Sequence, residues 1–194
     1  MRKAFIAALF LAVCASVSFA QSNDYKKGEF FAGYSANEVD TQGTFSTSGR
    51  DHFNGFNVEG TYNLTRYIGA QADFSYHQKS QRADFSITTS TFTARLSQFM
   101  GGVKVQDNAT DARFRPFAHA LIGVAHLTGE VNTTGFGSTT GSDNSLAVAV
   151  GGGLDFRVAK KVDVRAVQVD YNPIHSNGET DHNIRISTGL NFHF

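Results

Sequence analysis

The 194-residue chain predicts an all-β fold, an eight-stranded antiparallel up-and-down transmembrane β-barrel. Three observations carry this reading. Apolar and polar residues alternate with a period of two along nearly the whole chain, and the helical period is almost absent. The alternating segments run for about 10–13 residues, whereas soluble strands average about 5–6 and a tilted membrane-crossing strand needs about 9–11. The connections alternate long and short, the asymmetry of membrane barrels with tight turns on one side and longer loops on the other.

The amino-terminal segment stands apart from this pattern. Arg2 and Lys3 precede an uncharged apolar stretch from Ala4 to Val17, and Ser18-Phe19-Ala20 places small residues at the −3 and −1 positions of a signal-peptidase site. Residues 1–20 are therefore expected to be a signal peptide cut between Ala20 and Gln21, leaving 21–194 as the barrel domain. An uncleaved anchor over Ala4–Ala20 is a weaker alternative. So is lipidation at Cys14, because bulky Val13 precedes that cysteine. Without Arg2 and Lys3, 15 basic residues face 17 acidic ones, which argues against a nucleic-acid partner. Cys14 is the only cysteine, so the mature chain has no disulfide, no zinc–thiolate site and no cysteine nucleophile.

The strands follow in order. The first sets Phe30, Ala32, Tyr34 and Ala36 against Glu29, Gly33, Ser35 and Asn37, with Phe31 interrupting the polar set. The second sets Phe56, Val58, Gly60, Tyr62 and Leu64 against Asn57, Glu59, Thr61 and Asn63. The third sets Ile68, Ala70, Ala72, Phe74 and Tyr76 against Gly69, Gln71, Asp73, Ser75 and His77. The fourth sets Phe99, Gly101, Val103 and Val105 against Gln98, Met100, Gly102 and Lys104. Arg115 to Thr128 is apolar on both faces, and its facing stays open. The sixth sets Leu146, Val148, Val150, Gly152, Leu154 and Phe156 against a set that includes Ala147, Ala149 and Asp155. In the seventh, Val162 to Tyr171, Asp163 and Arg165 are out of phase with Gln168 and Asp170, which predicts a bulge near Ala166–Val167. The eighth is the most regular: Ile184, Ile186, Thr188, Leu190, Phe192 and Phe194 alternate with Arg185, Ser187, Gly189, Asn191 and His193. Long connections are expected at Glu38–His52, Lys79–Thr91, Gly129–Asn144 and Asn172–His182. Short ones are expected at Leu64–Arg66 and Val158–Lys161, and an intermediate one at Asp107–Phe114.

The charge pattern decides which face is outside. An eight-stranded barrel has an interior just wide enough for side chains, and an unpaired buried charge there costs several kcal/mol. The polar faces hold both signs: Glu59, Asp73, Asp155 and Asp170 against Lys104, Arg165 and Arg185. These seven residues are the expected interior network. Asp155 and Arg165 lie about equally far from the turn near Lys160, so antiparallel pairing sets them opposite each other. The apolar faces then point to lipid.

These residues resemble the OmpA/OmpX-like outer-membrane β-barrel domain family, over essentially the whole mature chain. The marks are Gly151-Gly152-Gly153-Leu154-Asp155-Phe156-Arg157, Gln168-Val169-Asp170-Tyr171, and the last strand, Ser187-Thr188-Gly189-Leu190-Asn191-Phe192-His193-Phe194. The resemblance implies a bacterial outer-membrane location with both termini periplasmic. It also implies that Ser187, Gly189, Phe192 and Phe194 form a carboxy-terminal assembly signal, with outer-membrane lipid and the barrel-assembly machinery as partners. The chain departs from the family in having no Trp, with Tyr34, Tyr62, Tyr67, Tyr76 and Tyr171 left to form the interfacial belts. It also has no following peptidoglycan-binding domain, so no cell-wall tethering is expected.

Catalytic and metal chemistry finds little purchase. The seven histidines include no metal-like pair at i,i+2 or i,i+4. A nucleophile at a rim would need an activating base, and His175-Ser176 and Asp181-His182 are the only such pairs. No cofactor is expected. The leading reading is a structural, non-catalytic barrel with a charge-plugged interior and loops that meet an unknown extracellular ligand. A narrow pore is the alternative, and a membrane-embedded lipid-modifying enzyme comes third.

Overall fold

A computed structural model describes residues 25–194 apart from 41–49, 85–88, 109–111, 136 and 177. The expected signal peptide and the Ala20–Gln21 cleavage point lie outside the described residues. Eight strands follow one another: β1 (Gly28–Asp40), β2 (Arg50–Asn63), β3 (Ile68–Asp84), β4 (Thr89–Gln106), β5 (Phe114–Thr133), β6 (Gly137–Ala159), β7 (Val162–Ser176) and β8 (Glu179–His193). Each pairs antiparallel with its sequence neighbours, and β1 pairs with β8, so the sheet closes into a barrel. Closure gives every strand two hydrogen-bonded neighbours, the condition for a sheet to cross a bilayer.

The facing is that of an inverted barrel. Phe30, Phe56, Phe74, Phe99, Val150, Val169, Ile186 and Leu190 are exposed on the outer wall. Glu59, Asp73, Asp155, Arg165 and Arg185 are buried inside. Phe31, the interruption in the first strand, is inside as well, at 1% exposure. The expected bulge is present: the β7–β8 register shifts between Arg165 and Gln168. It changes the phase of β7, so Asp163 and Arg165 below it and Gln168 and Asp170 above it all point inward. In β5 the open question resolves: Arg115, Phe117, His119, Leu121 and Ala125 face inward, and Phe114, Ile122 and Val124 face out. That strand is apolar on both faces because the interior carries an apolar layer of its own: Leu96, Met100, Leu121, Ala125, Ala147, Ala149 and Ile174.

The connections differ from expectation. Three of the four expected long loops are mostly strand. Pairing continues to Asp84↔Thr89, to Thr133↔Gly137 and to Ser176↔Glu179, so β5 and β6 reach 20 and 23 residues. The β1–β2 pairing likewise extends to Asp40↔Arg50. Side-chain alternation stops marking a strand once it leaves the apolar band, because both faces then meet polar surroundings while the backbone ladder continues. Gly135, Gly137 and Gly178, with φ of 87°, 90° and 88°, supply the left-handed residues that turn the β5–β6 and β7–β8 hairpins. The opposite end holds the start of β1, the end of β8 and the tight turns Leu64–Tyr67 and Lys160–Lys161. We call the two ends the hairpin end and the turn end.

Candidate functional site: the filled lumen and the hairpin-end mouth

The inward residues of the turn-end half form a continuous ion-pair network. Its centre is Arg165, whose guanidinium donates to Asp155 at 2.8 Å, Glu59 at 2.7 Å and Gln168 at 2.6 Å. The rings of Phe31 and Phe117 flank it, 4.0 and 4.2 Å from its central carbon. Phe31 has this place because Gly33 has no side chain: a Cβ there would lie 2.7 Å from the Phe31 ring. Gly33 faces Gly189 across the β1–β8 pair, and a Cβ on Gly189 would lie 2.4 Å from the Ala32 carbonyl oxygen.

A second centre is Arg185. It grips Asp73 with two nitrogens, at 2.9 and 3.0 Å, and donates to Asp170 at 3.0 Å. Asp170 also bonds His119 at 2.7 Å and accepts from Gln168 at 2.8 Å, which links the two centres. Gly151 leaves room for this, since a Cβ there would fall 2.3 Å from the Asp170 carboxylate. Towards the turn end, Lys104 donates to Glu29 at 2.5 Å. Asn191 joins Glu29 to Asp155, at 3.1 Å each. Lowest of all, Asp163 accepts from Arg115 at 2.7 Å and bonds His193 at 2.9 Å.

All seven residues expected inside from the sequence are therefore in one network. Glu29, Arg115, Asp163, His119 and His193 belong to it as charged or titratable members too. Glu29 was legible as a member of the first strand's polar set. Arg115 was hidden by the two-faced apolar pattern of β5, and Asp163 by the bulge that shifts its phase. Above the charges, Ser187 donates to Ser35 at 2.9 Å, and Ser35 also bonds His77 at 2.9 Å. The apolar layer lies beyond them.

The residues expected to form the assembly signal separate by face. Ser187 and Gly189 point inward, Phe192 and Phe194 point outward, and Phe194 exchanges two backbone hydrogen bonds with Gly28 at the β1–β8 seam. Ser176 donates to Asp143 at 2.6 Å, and His175 bonds Thr180 at 2.8 Å. No three-residue cluster of His, Cys, Asp and Glu suited to a metal occurs among the described residues.

Outside the apolar band, hydrogen bonds set the charge of exposed side chains, Arg66 and Asp143 among them. The Asp107 carboxylate, bonded twice to Arg66 at 2.9 Å, raises that guanidinium above its ordinary value. The Ser176 hydroxyl holds Asp143 below the usual carboxylate range.

The sequence of residues 5–194 matches the family model described as outer membrane protein beta-barrel domain. The chain belongs to that family. Among solved structures, this outer-membrane barrel is similar to Ail, the attachment invasion locus protein of Yersinia pestis, at 16% identity and a TM-score of 0.60, covering 87% of this chain and 99% of Ail. It is also similar to Neisserial surface protein A, at 14% identity and a TM-score of 0.54, covering 86% and 97%. At such identities the likeness is one of fold. No curated protein sequence matches the barrel.

Proposed function

We propose that the protein is a non-catalytic outer-membrane barrel whose lumen is closed to ions by its own side chains and whose hairpin end meets ligands outside the cell. One observation carries the first half. The interior cations reach across the lumen to carboxylates on other strands: Arg165 of β7 to Glu59 of β2, Arg185 of β8 to Asp73 of β3, Lys104 of β4 to Glu29 of β1, and Arg115 of β5 to Asp163 of β7. Such chords, with an apolar layer above them, oppose both the wide polar path and the one-signed ring that a channel uses. Single-channel recording of the refolded protein in planar bilayers tests this. The expected result is no steady conductance, and a steady ohmic current would establish the narrow pore instead.

The second half rests on topology. Tight turns at the end where β1 starts and β8 finishes fit a periplasmic turn end and an external hairpin end. Ail has been crystallised with the heparin analogue sucrose octasulfate, which supports ligand contact as a use for this fold. The apolar wall is the surface for outer-membrane lipid, and β8 is the segment for the assembly machinery to read. Because the mature chain has no cysteine, one introduced at Thr134 reports orientation. An impermeant maleimide should label it on intact cells.

A further inference from the structure

The outer wall is not even. Near the turn end it carries an open groove of about 510 Å³, bordered by Phe30, Tyr62 and Phe194 and floored by Gly60, Ala70 and Ala72. Register explains the hollow. Gly60 of β2 lies beside Ala72 of β3, and Ala72 beside Gly101 of β4, so three neighbouring strands present almost no side chain at one level. A Cβ on Gly60 meets nothing within 4 Å, and one on Gly101 meets only the Gln71 carbonyl oxygen, at 3.8 Å. Phe74 and Phe99, paired and exposed two residues nearer the hairpin end, close the hollow on that side. A hollow in a wall that faces hydrocarbon is filled by hydrocarbon, and three strands at roughly 4.8 Å spacing leave width for an acyl chain.

The rim beside the groove is basic. Lys26 donates to the Lys160 carbonyl. The His193 amide donates to the Lys161 carbonyl at 2.9 Å, and Phe194 exchanges two backbone hydrogen bonds with Gly28, the residue after Lys27. Lys26, Lys27, Lys160 and Lys161 therefore form one arc, and the Phe194 ring joins it to the groove: a Cβ on Gly28 would lie 2.3 Å from that ring. The other charges of this end largely answer one another. Arg66 is paired with Asp107 at 2.9 Å and Arg157 with Asp163 at 3.4 Å, and Arg113 has Asp111 two positions earlier in the sequence. The arc sets four lysines against the Phe194 carboxyl group and Asp24, which lies outside the described residues. Among the described residues no ion pair engages Lys27, Lys160 or Lys161. Burial and then the charge of Arg157 lower the Lys26 ammonium below its ordinary value, with Lys161 and Arg115 adding to the crowding and Asp163 opposing it.

We propose that this corner of the barrel is a site for an anionic phospholipid, with one acyl chain in the Gly60–Ala72–Gly101 hollow and the phosphodiester at the lysine arc. A zwitterionic lipid fits the hollow equally but brings a positive charge to the lysines. A soluble phosphate meets the lysines but has no chain for the hollow. The inference rests on the reading of the apolar wall as a lipid surface, and adds which lipid that surface selects and where.

The chain has no tryptophan, so Tyr62→Trp puts a single reporter at the groove's edge. Val150→Trp, exposed on β6, puts one on the opposite side of the closed barrel. The full mature chain carrying either is refolded into phosphatidylcholine vesicles. Quenching by dibrominated phosphatidylglycerol is compared with quenching by dibrominated phosphatidylcholine at the same mole fraction. Excess quenching by the phosphatidylglycerol at position 62, and none at position 150, is expected. Lys160→Gln and Lys161→Gln, on an exposed turn, should each lower the preference roughly fivefold, from about 1 kcal/mol per basic residue at an anionic lipid surface. Gly60→Leu, whose added side chain starts in open space, should remove it. Inorganic phosphate at constant ionic strength should leave it in place. Equal quenching by the two lipids at position 62, an undiminished excess in the double Gln variant or in Gly60→Leu, or loss of the excess to phosphate would each overturn the proposal and leave the lipid-facing wall standing. No quenching by either lipid at either position would refute that wall itself.

Discussion

Replacing Arg165 by methionine keeps most of the side-chain length between the rings of Phe31 and Phe117 and removes only the charge and its donors. Four hydrogen bonds disappear, two to Asp155 and one each to Glu59 and Gln168. Two carboxylates then stay buried without their cation, at 0% and 2% exposure. Breaking a buried pair by removing one partner costs about 3–5 kcal/mol. With a urea slope of about 2 kcal/mol/M, the unfolding midpoint should fall by about 1.5–2.5 M. Folded barrels resist dodecyl sulfate and migrate differently from unfolded chains, so a urea titration read on unheated gels gives the midpoint. Arg165→Ala should fall at least as far, and Asp155→Ala should also lower it. Exchanging the pair, Asp155→Arg with Arg165→Asp, should recover only part of the loss, because Glu59 then faces a second acid; adding Glu59→Gln should recover more. Unchanged midpoints in Asp155→Ala and Arg165→Ala would refute the reasoning, since an unneeded ion pair cannot be what organises the lumen.

Deleting Phe194 should lower surface levels in cells, measured by labelling at the hairpin end, far more than it lowers refolding yield in detergent, and Phe194→Tyr should be tolerated. Phe192→Asp should fail in both settings, because it turns a charge towards lipid, and a normal gel shift after refolding would contradict the facing of β8. Gly151→Ala should destabilise the barrel by displacing Asp170 from His119 and Arg185, visible as a lower urea midpoint, while Gly141→Ala in the hairpin ribbon, where an added Cβ meets nothing within 4 Å, should leave it unchanged. Intact-mass measurement of membrane-derived protein should give a chain that begins at Gln21.

The barrel and its inversion were legible because lipid outside and charge inside impose opposite demands on alternate residues, and strands 2, 3 and 8 obey closely, with Phe53 inside β2 and Thr188 outside β8 as departures. Even the bulge in β7 showed as a phase slip between Arg165 and Gln168. Legibility failed where the demands relax. In β5, Leu121 and Ala125 face an apolar layer inside and Ile122 and Val124 face lipid outside, so both faces read alike. In the hairpins, water surrounds both faces, and Ser, Thr and Gly conceal a ladder that continues by backbone pairing alone. The partners of each charge were beyond reach for another reason. Arg165 meets Asp155 through local register, but it meets Glu59 across the lumen, more than a hundred positions away, and only closure of β1 on β8 brings them together.

The ribbon formed by the upper parts of β5 and β6 has a consequence for how the molecule can change. From Val124 to Thr133 it climbs nine residues, about 30 Å along the strand at some 3.4 Å per residue, with Leu127 and Val131 as the large apolar side chains exposed on β5 there. Beyond Thr128↔Ser142 its outer edge on β6 has no partner strand, since the β6–β7 pairing begins at Leu146↔His175. Substitutions in that stretch perturb neither the Arg165 centre nor the Arg185 centre, and they leave the lipid wall intact. The molecule is thus divided into a conservative anchor, where one altered charge propagates through a dozen side chains, and a projecting arm whose surface can drift, lengthen or acquire a new specificity with little effect on whether the protein folds. Whatever this barrel meets beyond the membrane can be exchanged over evolutionary time without redesigning what holds it there.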